Sequence, residues 1–214
     1  MAKEKIVRAQ TRGEELANTL SHGLGALLAL AGAVPLLVRG LAAGSAKTAL
    51  SLTAYGFSLV LLYTASAVYH GVRNPDIKRV LRVMDHCSIF VLILGTYIPM
   101  SLLVVGGRTG WMLFLTNSTL AVIGITLNAV DLNRFDKVSL VLYALMGWLV
   151  VVALRAIVAA LPPLGVGLLV AGGLAYTAGI VFYKSQRRYA HFIWHLFVLA
   201  GSILQYFCIA LYCV

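Results

Sequence analysis

Apolar residues gather in seven blocks along the chain, near 21–38, 48–70, 83–104, 111–130, 138–157, 164–183 and 190–212. A helix needs about 20 apolar residues to cross the hydrocarbon core of a bilayer, and each block is of that order. Lipid offers the backbone no hydrogen-bond partner, so every block is predicted to be an α-helix. The pattern thus predicts an all-α integral membrane protein, a bundle of seven transmembrane helices. Arg155 sits near the end of the fifth block, where a long side chain can carry its charge to the interface. The connections are short, which makes consecutive helices antiparallel neighbours.

No linker, low-complexity tract or internal repeat divides the chain, so residues 1–214 are expected to form one domain. Residues 1–20 are expected to be a short cytoplasmic interfacial segment. Its mixed-charge stretch MAKEKIVRAQTRGEELAN is read as a short helix at the surface. The first apolar block is not read as a cleavable signal, because polar residues precede it, no small-residue cleavage pattern ends it and six further blocks follow. Pro99 falls inside the third block and predicts a kink or loosened hydrogen bonding there, and Pro35 the same late in the first. Gly167, Ala171, Ala175 and Gly179 form a four-residue stripe that would let another helix approach closely.

Composition agrees with a membrane protein. Apolar residues make up 61% of the chain and charged residues 11%, where a soluble domain carries roughly a quarter charged. Thirteen Lys and Arg residues fall on one side of the predicted bundle and four on the other, Arg39, Lys47, Arg108 and Arg155. The basic side faces the cytoplasm, so the N-terminus is predicted inside and the C-terminus outside. The net charge of +10 then reflects topology and contact with anionic lipid. The basic residues are scattered over short loops, which argues against nucleic acid as a partner and for membrane lipids. Oligomeric state has no signature. Cys87, Cys208 and Cys213 form an odd set without a motif and read as inert thiols rather than a disulfide framework.

The polar residues inside the blocks carry the chemistry. In YAHFIWHL, residues 189–196, His191 and His195 stand four apart and share a helix face. Asp85 is the one acidic residue within a block. Counting 1.5 Å per residue from Arg73, Arg82 and Arg188 places His70, Asp85 and His191 at one depth, about 4–5 Å inside the cytoplasmic edge. His195 lies a turn deeper. Three imidazoles suit zinc and leave a fourth position for water, the pattern of a catalytic site. Asp85 is then a candidate to hold and deprotonate that water, or to ligate directly, and Ser66, one turn before His70, a candidate to orient it or a substrate carbonyl. The alternative is that the histidines only hydrogen-bond neighbouring helices or anchor at headgroups. HFIWH lacks the glutamate of the H-E-x-x-H zinc proteases. His86 points about 100° away from Asp85 on a helix and reads as supporting or interfacial. Glu15, Asn18 and His22 share a face of the first helix. They are either a polar wall that closes the site or a helix start with Glu14 and Glu15 favouring the dipole.

Taken together, EELANTLSHG, SAVYH, RVMDHCSIF, GTYIP and HFIWHLFVLAG resemble the hemolysin III family, bacterial relatives of the progestin and adipoQ receptors that include the adiponectin receptors. The resemblance covers nearly the whole chain with the motifs in order. It implies seven helices, a cytoplasmic N-terminus and zinc near the cytoplasmic side. It implies His70, His191 and His195 as ligands, with Asp85 on the zinc-held water and Ser66 supporting it. The adiponectin-receptor branch is linked to ceramide hydrolysis, and the bacterial branch to haemolysis and membrane-lipid homeostasis. The reading that follows is a zinc-dependent hydrolase of a lipid amide or ester. Its alternatives are a non-enzymatic sensor of membrane state with structural zinc, and a pore-forming lysin. For the last, TNST at 116–119 is one of few polar candidates along a lumen, and interhelical hydrogen bonding explains it more simply.

Overall fold

The computed structural model describes residues 8–213, which are helical almost throughout and contain no strand. Thr11 begins α1 (Arg12–Ala42) with a reciprocal cap: its hydroxyl accepts the Glu14 N–H, and the Glu14 carboxylate accepts the Thr11 N–H at 2.9 Å. Residues 1–7 of the expected surface segment lie outside the described residues. From Arg12 onward the chain is already in the 31-residue α1, so residues 12–20 are its first turns. Ser45 caps α2 (Ala46–Gly71), and Asn74 caps α3 (Pro75–Pro99) by accepting the Asp76 and Ile77 N–H groups.

Pro99 acts as expected. It has no N–H to offer Gly95, and beyond it the helix loosens into a wide turn over Met100–Val105. The Gly106 N–H reaches back five residues to the Ser101 carbonyl at 2.9 Å. Gly106 and Gly107 then take φ of 61° and 53°, left-handed conformations that glycine adopts without a Cβ clash.

The next run comprises α4 (Gly107–Trp148), a tight turn at Leu149–Ala153 and α5 (Leu154–Ala160). One residue inside α4 is not helical: Asp131, at φ −159° and ψ 94°. Its carboxylate accepts the Arg134 N–H at 3.0 Å, the bond an N-cap makes to a restarting helix. Across this break Asn117 Nδ2 donates to the Met146 carbonyl at 3.3 Å, and Ser139 Oγ donates to Asn128 Oδ1. Residues 29 apart on a straight helix would be about 43 Å apart, so the chain doubles back at Asp131. α6 (Pro163–Tyr183) and α7 (Ala190–Tyr212) follow.

Six helical runs, rather than seven, are long and apolar enough to cross a membrane among the described residues. The difference lies in Gly107–Ala160, one run of 54 residues that takes in both the fourth and the fifth predicted block. A capping aspartate replaces the loop expected between them.

α2 is the most enclosed of the long helices, with Leu52, Tyr55, Leu59, Leu62 and Tyr63 all buried. Leu16, Leu20, Leu24 and Leu27 of α1 are exposed, as a lipid-facing stripe is. The close approach of α6 to α7 differs from the expected stripe. Gly167 is exposed with open space around it, whereas a Cβ at Gly172 would lie 2.6 Å from Gln205 Nε2 and one at Gly179 2.8 Å from the Trp194 ring. Gly165, Gly172 and Gly179 repeat every seven residues. A four-residue step drifts about 40° around a helix and a seven-residue step only about 20°, so the longer spacing stays on one face.

Candidate metal centre

The last turn of α2 carries His70, and the first two turns of α7 carry His191 and His195. The three offer ligand nitrogens that lie within 4.8 Å of one another. Their ring centroids are 4.7–5.2 Å apart. Nitrogen ligands of a tetrahedral zinc at 2.0–2.1 Å are about 3.4 Å apart, so small side-chain rotations close the set around an ion. His70 and His195 are buried and His191 half-buried.

The outer nitrogens of two of these rings, those of His70 and His195, are held. Glu15 Oε2 lies 2.7 Å from His70 Nδ1, and Asn18 Nδ2 lies 3.4 Å from it. Glu15 in turn pairs with Lys78 Nζ at 3.0 Å. Ser21 Oγ lies 3.1 Å from His195 Nδ1. A carboxylate on one ring nitrogen fixes the tautomer and leaves the other as a bare lone pair, the arrangement that metal-ligating histidines show. His70 Nε2 fits this: it is buried and has no hydrogen-bond partner. The donor set therefore suits a metal ion.

His22 stacks on His195 with centroids 3.5 Å apart and planes 10° from parallel, and meets Tyr63 edge-on at 5.0 Å. Both its nitrogens are buried without a partner. Glu15, Asn18 and His22 thus all meet the histidine cluster, Glu15 and Asn18 at His70 and His22 at His195.

Ser66 and Asp85 are buried and line one cavity of about 330 Å³ together with His22, His191 and His195. No hydrogen bond joins either side chain to the three imidazoles among the described residues. His86 Nδ1 is 3.9 Å from Asp85 and 2.9 Å from the Arg82 carbonyl. His86 also lines the cavity, closer to the chemistry than its helical angle suggested. Away from this polar end the walls are apolar. They run along α7 from His191 to Gln205 and from Asp85 of α3 to Met100 just past its end, each a length of about 21–23 Å at 1.5 Å per residue. Trp148 Nε1 donates to Thr177 Oγ1 at 3.2 Å, joining α4 to α6 beside the cavity.

Sequence reasoning missed Ser21, Lys78 and the role of Glu14. Ser21 adjoins the His22 already singled out, a cue that was present; Lys78 lies in the first turn of α3, outside any apolar block, and carries no local signal. Within TNST, Asn117 makes an interhelical bond, while Ser118 and Thr119 bond back to their own helix. The three cysteines are free, Cys208 and Cys213 buried and Cys87 half-buried.

A multi-pass helical bundle with a histidine trio, two of whose members line the polar end of a long, mostly apolar cavity, defines the class: a membrane protein with residues that could hold a metal. The sequence matches the family described as "Haemolysin-III related" over residues 10–206. It is 37% identical to Hemolysin-3 of Bacillus cereus, over 98% of this chain and 96% of that one. Identity to the Hemolysin-3 homolog of Bacillus subtilis is 38%, over 94% and 95%. Identity to the human Monocyte to macrophage differentiation factor is 30%, over 72% and 67%. The chain belongs to the haemolysin-III-related family, as its motifs led us to expect.

Proposed function

We propose that this protein is a zinc-dependent hydrolase of a lipid amide or ester, ceramidase-like, that serves membrane-lipid homeostasis in a bacterial cytoplasmic membrane. The observation that carries the reading is the junction of two features: convergent imidazoles, with a buried unpartnered His70 Nε2, and a cavity whose remaining length is apolar. In this reading Gly107–Ala160 crosses the membrane twice, giving seven crossings, and the excess of Lys and Arg sets the N-terminus and the histidines on the cytoplasmic side.

His70, His191 and His195 would hold the ion. Zinc, when bound in such a site, supplies Lewis-acid polarisation of a carbonyl and a water whose pKa approaches about 7. Asp85 takes a proton from attacking water and returns it to the leaving amine or alcohol, so that one water adds across the broken bond. Ser66 donates a hydrogen bond to the substrate carbonyl. The apolar walls take the acyl chain and keep bulk water away.

The test is metal content of purified wild type against His191→Ala, followed by a screen of ceramides and acyl lipids with Asp85→Ala as control. Zinc present in wild type, lost in His191→Ala, and turnover lost in Asp85→Ala is the expected result. Bound zinc with no turnover of any lipid pool removes the enzymatic reading. A zinc clasp in a membrane-state sensor is the second reading, favoured by the absence of a hydrogen bond from Asp85 to the cluster. It requires an Asp85→Ala protein that keeps its activity in cells. A lytic pore fits least, since the cavity walls are apolar.

A further inference from the structure

Glu14, in the first turn of α1, is buried and its hydrogen bonds among the described residues go to none of the histidine rings. Its carboxylate is clasped by the Arg8 guanidinium through both oxygens. The same carboxylate accepts the Tyr189 N–H at 2.8 Å. Tyr189 is the residue from which α7 departs, and it sits in the left-handed region at φ 59°, alone among the described non-glycine residues. A bulky residue keeps such a backbone only where its surroundings impose it. Gly13 completes the seat, since a Cβ there would lie 3.0 Å from the Tyr189 hydroxyl. Arg8 also ties its own N–H to Gln186 Oε1 at 3.1 Å and its Nε to the Gln186 carbonyl at 3.2 Å. Residues 8–14 thus form a strap docked on the turn between α6 and α7. His191 stands two residues beyond Tyr189. The neighbouring carboxylate, Glu15, holds His70. Adjacent residues of α1 therefore fix the two helices that must converge, one through the α7 start and one through the α2 imidazole.

We propose that Glu14 is a positioning residue for the histidine centre, and that docking of the strap on the α6–α7 turn is linked to metal occupancy. The inference rests on the metal reading above. Linkage is reciprocal: if the docked strap sets the spacing of His191 and His195 from His70, a metal held by them stabilises the docked strap. The metal centre then has an output on the protein's polar face, a segment whose order reports occupancy.

The full chain, purified in detergent micelles and stripped of metal, is titrated with zinc against a fluorescent chelator, and amide exchange of residues 8–15 is followed with and without zinc. Zinc is expected to slow that exchange. Glu14→Ala is expected to weaken zinc binding by about 10-fold or more, the scale of losing an outer-shell partner, and to abolish the zinc-dependent slowing. Glu14→Gln, which keeps an acceptor for the Tyr189 N–H, recovers most of the affinity. Ser45→Ala, which removes the cap at the start of α2, away from both the strap and His70, lowers thermal stability without a comparable loss of affinity. Exchange indifferent to zinc, Glu14→Ala binding as tightly as wild type, or Ser45→Ala losing as much affinity as Glu14→Ala each overturns the proposal while leaving the metal reading intact. Failure of wild type to take up zinc removes both.

Discussion

Two polar clusters lie inside this bundle, and they are built on opposite plans. In the first, Tyr63 of α2 and Tyr176 of α6 both meet Ser202 of α7, at 2.7 and 2.8 Å. The three hydroxyls satisfy one another, and the result is glue between helices. In the second, α1 holds the outer nitrogens of His70 and His195, while His70 Nε2 and both nitrogens of His22 are left without partners. Unsatisfied buried polar atoms are costly, and His70 Nε2 stands among three imidazoles that could bind a metal. Tyr55 Oη and Gln205 Oε1 are also orphaned, but neither is a residue type that zinc sites favour. The closed network joins helices, whereas the open one has donor atoms to offer a metal.

The contrast can be broken in three places. The largest effect is expected at the open cluster. Zinc at 100 times its Kd should stabilise wild type by about 2.7 kcal/mol, and His191→Ala should erase that shift in a thermal melt. An equal zinc shift in both would assign the metal elsewhere. Next comes Glu15→Gln, which keeps a hydrogen bond to His70 but loses the charge. Metal affinity should fall by about 10-fold, toward the lower end for outer-shell partners, as read by chelator competition. Smallest is Ser202→Ala in the closed cluster. Interhelical hydrogen bonds in membranes average about 0.6 kcal/mol each, so a loss of about 1 kcal/mol in stability with zinc affinity unchanged is expected. If Ser202→Ala weakened zinc binding as strongly as Glu15→Gln, the two clusters would be one coupled unit.

The histidine trio was legible because each member is anchored in sequence: two share a helix face through their spacing, and the third ends an apolar block at the same distance from a basic loop. Glu15, Asn18 and His22 were legible by the same periodicity. Glu14 was not, since an acidic residue in a first helical turn already has an explanation in the helix dipole, and its contact with Tyr189 spans 175 positions of chain. The interruption at 131–137 was legible, since DLNRFDK is a polar gap between two apolar blocks; its form was not, because one non-helical residue, Asp131, makes the break where a loop was expected. Of the α6 stripe, Gly179 was placed correctly and Gly167 was not, while Gly165 and Gly172 were missed, because a seven-residue repeat stays on one face longer than a four-residue one.

The turn at Asp131 bears on how the chain enters its membrane. Asp131, Arg134, Asp136 and Lys137 crowd the apex of Gly107–Ala160, while Asn117 and Asn128 find partners only on the opposite arm. Read as two crossings, the arm before the turn cannot enter hydrocarbon alone without stranding the Asn117 and Asn128 amides, whose partners Ser139, Tyr143 and Met146 stand on the arm after it. On that reading the two arms go in as a pair, with the charged apex left behind in water.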